Sequence, residues 1–412
     1  MNNNWKVKNL EEVCENLDSK RIPITQKSRN EGKYPYYGAS GIVDYVDEFL
    51  FDEDLLLVSE DGANLLARTY PIAFSVSGKV WVNNHAHVLK FDKISTQRFI
   101  EYYLNSIKLD HYVSGMAQPK LNQKSLNSIV VPFPPLSEQQ RIVSILDEAF
   151  TAIAKAKENA EKSLQNAHEL FESYLHSIFG QRGEGWIEKT FSELCNIKHG
   201  FAFRSEFFTD EGDYVVLTPG NFYESGGYRD RGEKQKYYSG HIPRDYVLEK
   251  GDLLVVMTEQ AAGLLGSPII VPESDKFLHN QRLGLVTKKP GAPWTNEFFF
   301  HVFNTHAVRK AIHDSASGVK VRHTSPTKIG DVVVSFPTSI SEQHAIVSKL
   351  TALEEETQRL EGIYRQKLAA LEELKKSILQ KAFSGELTAS SEPTINDKLT
   401  VPRFIQQEIV WA

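Results

Sequence analysis

The sequence predicts an α+β protein built from two homologous globular α/β blocks, each followed by a long helix. Three observations carry this. Residues Ser137–Phe179 and Ser341–Phe383 are related by one offset of 204, with the same opening (Ser137-Glu138-Gln139, Ser341-Glu342-Gln343) and the same close at Phe179 and Phe383. The blocks also open alike, Trp5 to Cys14 and Trp186 to Cys195, with Trp, Glu and Cys at identical spacing. A Pro-containing apolar strand precedes each helix, Val130-Val131-Pro132-Phe133-Pro134 and Val333-Val334-Ser335-Phe336-Pro337. A repeat of this kind sets the plan of the fold before any single element is read, and 412 residues suffice for two cores.

In chain order, each Trp-to-Cys opening predicts a short strand and turn, with one reduced thiol per block at Cys14 and Cys195. Two cysteines are too few for a disulfide framework or a zinc site. Tyr34 to Gly41 mixes aromatics with Pro and Gly and predicts a turn-rich β region. It reads either as a loop offering Tyr36 to a phosphate or base, or as aromatic packing beside a tight turn. Asp54–Val58 and Asp252–Val256 read as matched buried strands. The polar loops after them, Ser59–Ala63 and Thr258–Gly263, occupy the place where a scaffold presents recognition residues.

Gly78 to His87 is a conspicuous polar run of the first block, with His279-Asn280-Gln281-Arg282 in its place in the second. Asn84 is aligned with Asn280, and His85 with Gln281. Two His at i and i+2 without a third ligand read as a hydrogen-bonding strand end, and no metal site is expected. Asn, Gln and Arg are the side chains that pair bidentately with base edges. Lys79, Asn84, His85, Asn280, Gln281 and Arg282 are therefore candidates for contact with nucleic acid, together with Tyr36 and Arg204. Helices are expected over Gln97–Ile107 and Glu297–Ile312. A glycine loop follows each, and Gln118, Lys120, Lys320 and Arg322 on these loops join the candidates, since a glycine lets backbone approach a phosphate closely. The plain alternative is a helix-to-strand connection with solvated charges.

The arms carry apolar heptads. Leu146, Ile153, Ala160, Ala167 and Tyr174 fall seven apart, with Ala149, Ala156, Ser163, Leu170 and Ser177 beside them. The second arm has Leu350, Thr357, Tyr364, Leu371 and Ile378, with Leu353, Leu360, Lys367, Leu374 and Lys381. A small seam facing a large one suits packing of the two arms together, and each would span up to about 65 Å if unbroken. Ser137 and Ser341 read as N-caps. Gly180–Gly185 reads as a linker, and residues after Phe383 lose periodicity and read as loose.

The net charge of -6 neither demands nor excludes nucleic acid, because binding needs a local basic face. No apolar run nears the roughly 20 residues of a membrane span, and no leader pattern opens the chain, so a cytoplasmic protein is expected. No phosphate-binding Gly-Lys-Ser/Thr loop, no paired nuclease carboxylates and no methyltransferase tetrapeptide occur; Pro132-Phe133-Pro134-Pro135 lacks the acid or amide that the last requires. No catalytic residues are assigned.

Taken together, Tyr34–Ala39, Val82–His87, the run Val131–Ile142 and Ser341-Glu342-Gln343 resemble the specificity subunit of type I restriction-modification systems. The resemblance extends to about Gly385; Ser335 and the longer Pro337-to-Ser341 turn depart from it. It implies target-recognition domains at 1–136 and 181–340, conserved helices at 137–180 and 341–384 pairing as an antiparallel coiled coil, and a tail at 385–412. It further implies a bipartite, asymmetric double-stranded DNA target, with the coiled coil as a ruler between half-sites. Two modification (methyltransferase) subunits would bring S-adenosylmethionine, and restriction subunits would bring ATP and Mg; this chain would carry no cofactor and no catalysis. The competing readings are a tandem-domain coiled-coil scaffold that does not bind DNA, and a fused modification enzyme, for which the chain has no room.

Overall fold

The structure is a computed structural model that describes residues 5–115, 118–180, 185–260 and 262–389. It divides into two compact units that cut across the linear order of block and arm. One holds residues 5–163 with 364–389, the other 164–363.

The first unit closes its block with an antiparallel pair, Lys6–Asn9 on Val130–Phe133, so the Trp5 opening and the Pro-containing strand are partners. A four-stranded sheet orders Glu15–Asn16, Ala86–Lys90, Leu55–Ser59 and Ala73–Val76. All five residues of the central strand Leu55–Ser59 are buried, as a strand covered on both faces must be. A second sheet orders Gly41–Val46, Glu31–Gly38, Lys79–Val82 and Phe51–Asp52. Helix Ile94–Ser106 packs on the first sheet through Phe99, Ile100 and Leu104.

The second unit repeats this plan. Trp186–Thr190 pairs with Val333–Pro337. Cys195–His199, Leu283–Lys288, Leu253–Val256 and Pro268–Ile270 form the first sheet, and Phe208–Thr209, Tyr237–Tyr238, Val215–Val216 and Phe277–Leu278 the second. The single helix expected over Glu297–Ile312 is two, Asn296–Asn304 and His306–Ser315. Thr305 breaks the run because its Oγ1 accepts from Val308 N and so caps a new helix. Both cysteines are free; each thiol donates to a carbonyl four residues back, and burial pushes both up to about 12.

The arms are helices Leu136–Gly180 and Ile340–Ser384, 45 residues each, and the offset of 204 holds at both ends. Ser137 and Ser341 are not the N-caps, because the helices begin one residue earlier. In the second arm Ser339 Oγ accepts from Glu342 N at 3.3 Å, and in the first Pro135 occupies that place. The Gln of each Ser-Glu-Gln motif is a buried bolt. Gln139 accepts from Thr96 Oγ1 at 2.7 Å and donates to the Pro134 carbonyl at 2.8 Å. Gln343 accepts from Thr295 N at 3.0 Å and donates to the Pro293 and Pro337 carbonyls, each at 2.9 Å.

Within the first unit the arms run antiparallel. Arg141 donates to the Thr388 carbonyl and Lys157 pairs with Glu372 at 2.8 Å, one index rising as the other falls. Within the second unit His168 lies 2.8 Å from Glu361. Of the seam residues, Leu146, Ile153, Leu350, Leu371 and Leu374 are buried, and Leu353 and Leu360 are half-buried. Leu170 is 46% exposed, and Ala167 and Leu175 are buried in its stead. A straight helix drifts about 20° per heptad against a strict seven-residue repeat, which carries the seam off Leu170. Residues 385–389 are not loose: Leu387 is buried in the core of the first unit. Residues 390–412 and 181–184, in the expected tail and linker, lie outside the described residues. Among those described, no helix is long and apolar enough to cross a membrane.

Candidate nucleic-acid interface

In each unit one tight turn links the second sheet to the first. In the first unit Asn83 is buried, and its Oδ1 accepts from His85 N at 2.8 Å. In the second unit Asn280 is buried and its Oδ1 accepts from Arg282 N at 3.1 Å. A side-chain amide that holds the backbone two residues on fixes a turn locally. The next two side chains then stand in solvent: Asn84 and His85 in one unit, Gln281 and Arg282 in the other.

The same backbone frame holds both turns. The Glu60 N–H donates to the His85 carbonyl at 2.9 Å, and Leu121 N–H to the Glu60 carbonyl at 2.8 Å. The Met257 N–H donates to the Arg282 carbonyl at 2.9 Å, and Thr324 N–H to the Met257 carbonyl at 2.9 Å. This corrects two alignments. Asn280 matches Asn83, not Asn84, so His85 matches Arg282. In the strands, Val58 opposite His87 matches Val255 opposite Gly284, so the strand beginning at Asp252 is shifted by one from the expected register.

Beneath the first turn lies a buried ionic network. His87 Nδ1 is 2.6 Å from Asp18 Oδ2 and Nε2 is 2.7 Å from the Leu121 carbonyl oxygen. Arg21 pairs with Glu60 at 2.6 Å and Lys120 with Glu60 at 3.2 Å. Burial alone would raise the Asp18 carboxyl; the hydrogen bond and charge of His87 and the Val88 N–H outweigh it and hold it below the usual carboxylate range. Glu60 is likewise held low, Arg21, His87 and Lys120 outweighing its burial. Oxygens of Asp18 and Glu60 and a His87 nitrogen lie within 4.8 Å of one another. Arg21 and Lys120 already neutralise these carboxylates, so the donors serve an ion network. Beneath the second turn the filling is apolar: Gly284 leaves room that a Cβ would lose against Ile197 at 2.7 Å and Met257 at 3.0 Å.

Around the second turn a cleft of about 300 Å³ is lined by Thr258, Gln260, Gln281, Arg282, Val321 and His323. Thr258 Oγ1 lies 3.1 Å from His323 Nδ1. The corresponding loop in the first unit brings Lys120 against Asp61, whose carboxylate is 2.8 Å from His85 Nδ1.

The remaining candidates separate. Tyr36 is 1% exposed, its hydroxyl bonded to Ile24 and its face covered by Arg29, so the packing reading holds for it. Lys79 lies over the Phe49 ring at the far end of the strand Lys79–Val82 from the turn, about 10 Å away. Asn280 is the buried anchor, not a contact residue. Arg322 folds back to donate to the His313 carbonyl at 2.7 Å. Gln118 and Lys320 are exposed on their glycine loops, and Arg204 is exposed with Glu206 at 3.6 Å. His323 was missed by sequence reasoning; its signal is the bridge to Thr258, the counterpart of Asp61 to Lys120.

Comparison with known proteins fits this geometry. The profile described as type I restriction modification DNA specificity domain matches residues 2–162 and again 183–372. A putative type I restriction enzyme specificity subunit of Haemophilus influenzae is 26% identical over 364 residues, covering 85% of this chain and 87% of the relative. The MjaVIII specificity subunit of Methanocaldococcus jannaschii is 21% identical, covering 93% of each chain. Among solved structures, a chain from a study of assembly and conformational transition of the type I R-M system superposes with TM-score 0.68 at 16% identity, covering 93% of this chain and 98% of that one. The HsdS subunit of Thermoanaerobacter tengcongensis gives 0.57 at 15% identity, covering 94% and 98%. At such identities the superpositions speak for the fold, while the duplicated domain match covers most of the sequence. The chain belongs to the family of type I restriction-modification specificity subunits, which are recognition subunits without catalysis of their own.

Proposed function

We propose that this chain selects a bipartite, asymmetric double-stranded DNA site, each unit's turn and glycine loop reading one half. The observation that carries the reading is the duplicated turn: one backbone frame, built twice, presents Asn84-His85 in one unit and Gln281-Arg282 in the other. Different side chains on one scaffold suit two different half-sites, because phosphate contacts position a protein while base edges specify sequence. Two modification subunits would dock on the arms and bring S-adenosylmethionine. Restriction subunits would bring ATP and Mg, and the arms would set the spacer between half-sites.

Methylome sequencing of a host expressing this chain with its modification partner tests the reading. A split, non-palindromic motif is expected, and lengthening both arms by paired heptads should lengthen the spacer and leave the half-sites alone. A continuous palindrome, or no motif, would count against the bipartite reading, and an assembled complex with no salt-dependent DNA affinity in a gel shift would favour the scaffold reading instead.

A further inference from the structure

We propose that Arg282 is a specificity-determining residue that reads a guanine in the half-site of the second unit; this rests on the DNA-selecting function proposed above. Several other arginines of the second unit have partners. Arg204 lies 3.6 Å from Glu206, Arg244 lies 3.4 Å from Asp275, and Arg229 faces the Tyr223 ring. Arg309 donates to the Gly263 carbonyl and Arg322 to that of His313. Among the described residues the Arg282 guanidinium has no hydrogen bond, ion pair or ring contact, although its backbone is pinned at both ends.

A long side chain on a fixed backbone, exposed and unpaired, keeps all five guanidinium donors for a ligand. Its cleft is lined otherwise by the neutral groups of Thr258, Gln260, Gln281 and Val321 and by His323. The nearby acid, Glu259, is buried, with Oε2 accepting from Leu265 N at 2.8 Å and Oε1 facing His313 at 3.9 Å. No carboxylate of the cleft lining competes for the arginine. A planar fork of donors matches the O6 and N7 acceptors of guanine in the major groove. A phosphate would be served as well by a point charge, so exchange for lysine separates the two ligands.

The test uses the full chain assembled with its modification partner, and reads methylation of a randomised duplex library and binding to the preferred duplex. Arg282→Ala should relax guanine preference at one position of one half-site by on the order of 10- to 100-fold, with the other half-site unchanged. Arg282→Lys should keep most of the overall affinity and lose the same preference. Because the side chain is exposed, both variants should melt with the wild type, which a thermal scan checks. An unchanged motif in both variants overturns the assignment while leaving the proposed function standing. So does a uniform loss of affinity that lysine restores, which marks a phosphate contact. A wild-type complex that shows no motif overturns the proposed function and this assignment together.

Discussion

The two asparagine-held turns share a skeleton and differ in what fills the space beneath it. Under the first, Glu60 and His87 belong to an ionic network with Asp18, Arg21 and Lys120. At the matching places under the second stand Met257 and Gly284, packed against Ile197. The backbone hydrogen bonds that hold the two turns agree to within a few tenths of an ångström. The turn is thus specified by its own buried asparagine and by strand pairing, and the support beneath can be ionic or apolar. What the scaffold preserves is the exposure of the two side chains that follow the buried asparagine.

Removing Asp18 should break the comparison most strongly. Its carboxylate accepts from His87 at 2.6 Å and from the Val88 N–H at 2.8 Å, and it is 9% exposed. Asp18→Ala leaves buried donors unpaired, for which a cost of about 3–5 kcal/mol is the rule. Calorimetry should show the loss, and hydrogen exchange should confine it to peptides of the first unit. At the matching place in the second unit stands apolar Met257, so Met257→Ala should cost only the cavity, roughly 2–4 kcal/mol.

Acid should divide the units in the opposite sense. In the second unit burial lowers His279 and His301 from 6.5 to about 4. On acidification the unfolded chain takes these protons first, so stability is undiminished above pH 6.5 and falls between 6.5 and about 4. At about pH 5 the two histidines together should cost about 4 kcal/mol. In the first unit Asp18 and Glu60 are held below 3.8 and 4.5, so their contribution persists until the pH drops beneath those values. Exchange protection measured down the pH scale should therefore fail first in the second unit. If the first unit opens earlier, its network does not hold the charges assigned to it.

The anchors themselves should be equivalent. Asn83→Ala and Asn280→Ala each remove one side-chain hydrogen bond to backbone, worth about 1 kcal/mol. Denaturant midpoints should shift alike despite the different support beneath. A clearly larger cost at one anchor would show that the support, and not the asparagine, fixes that turn.

How far sequence alone reaches follows from these same residues. The arms were legible to one residue at each end, because a repeated polar motif and a heptad survive in any environment. Strand register was not. Leu55–Ser59 is buried on both faces, so it lacks the alternation that would fix its offset against Leu253–Val256. The choice between Asn83 and Asn84 was equally hidden, since two adjacent asparagines look alike until one of them bonds to the backbone. Arg322 stood among the candidates because nothing in the chain shows that His313, nine residues earlier on a helix, takes it back. The duplicated Ser-Glu-Gln was visible as a motif, while the role of its Gln as a bolt needed the carbonyls of Pro134 and Pro337 in place.

The smallest predicted effect is on the arms. Shifting Lys157–Glu372 by the repeat offset of 204 gives Glu361 and His168, so the two inter-arm pairs are repeat mates. Each puts the basic residue on the first arm and the acid on the second. All four side chains are partly exposed, so each pair should contribute at most about 1 kcal/mol, screened by salt. Double-mutant cycles should give both pairs a small coupling of similar size that shrinks as salt is raised. A coupling at His168–Glu361 that salt leaves unchanged would mean that a neutral hydrogen bond, not charge, joins the arms there. The repeat would then have conserved the geometry of the contact and not its sign.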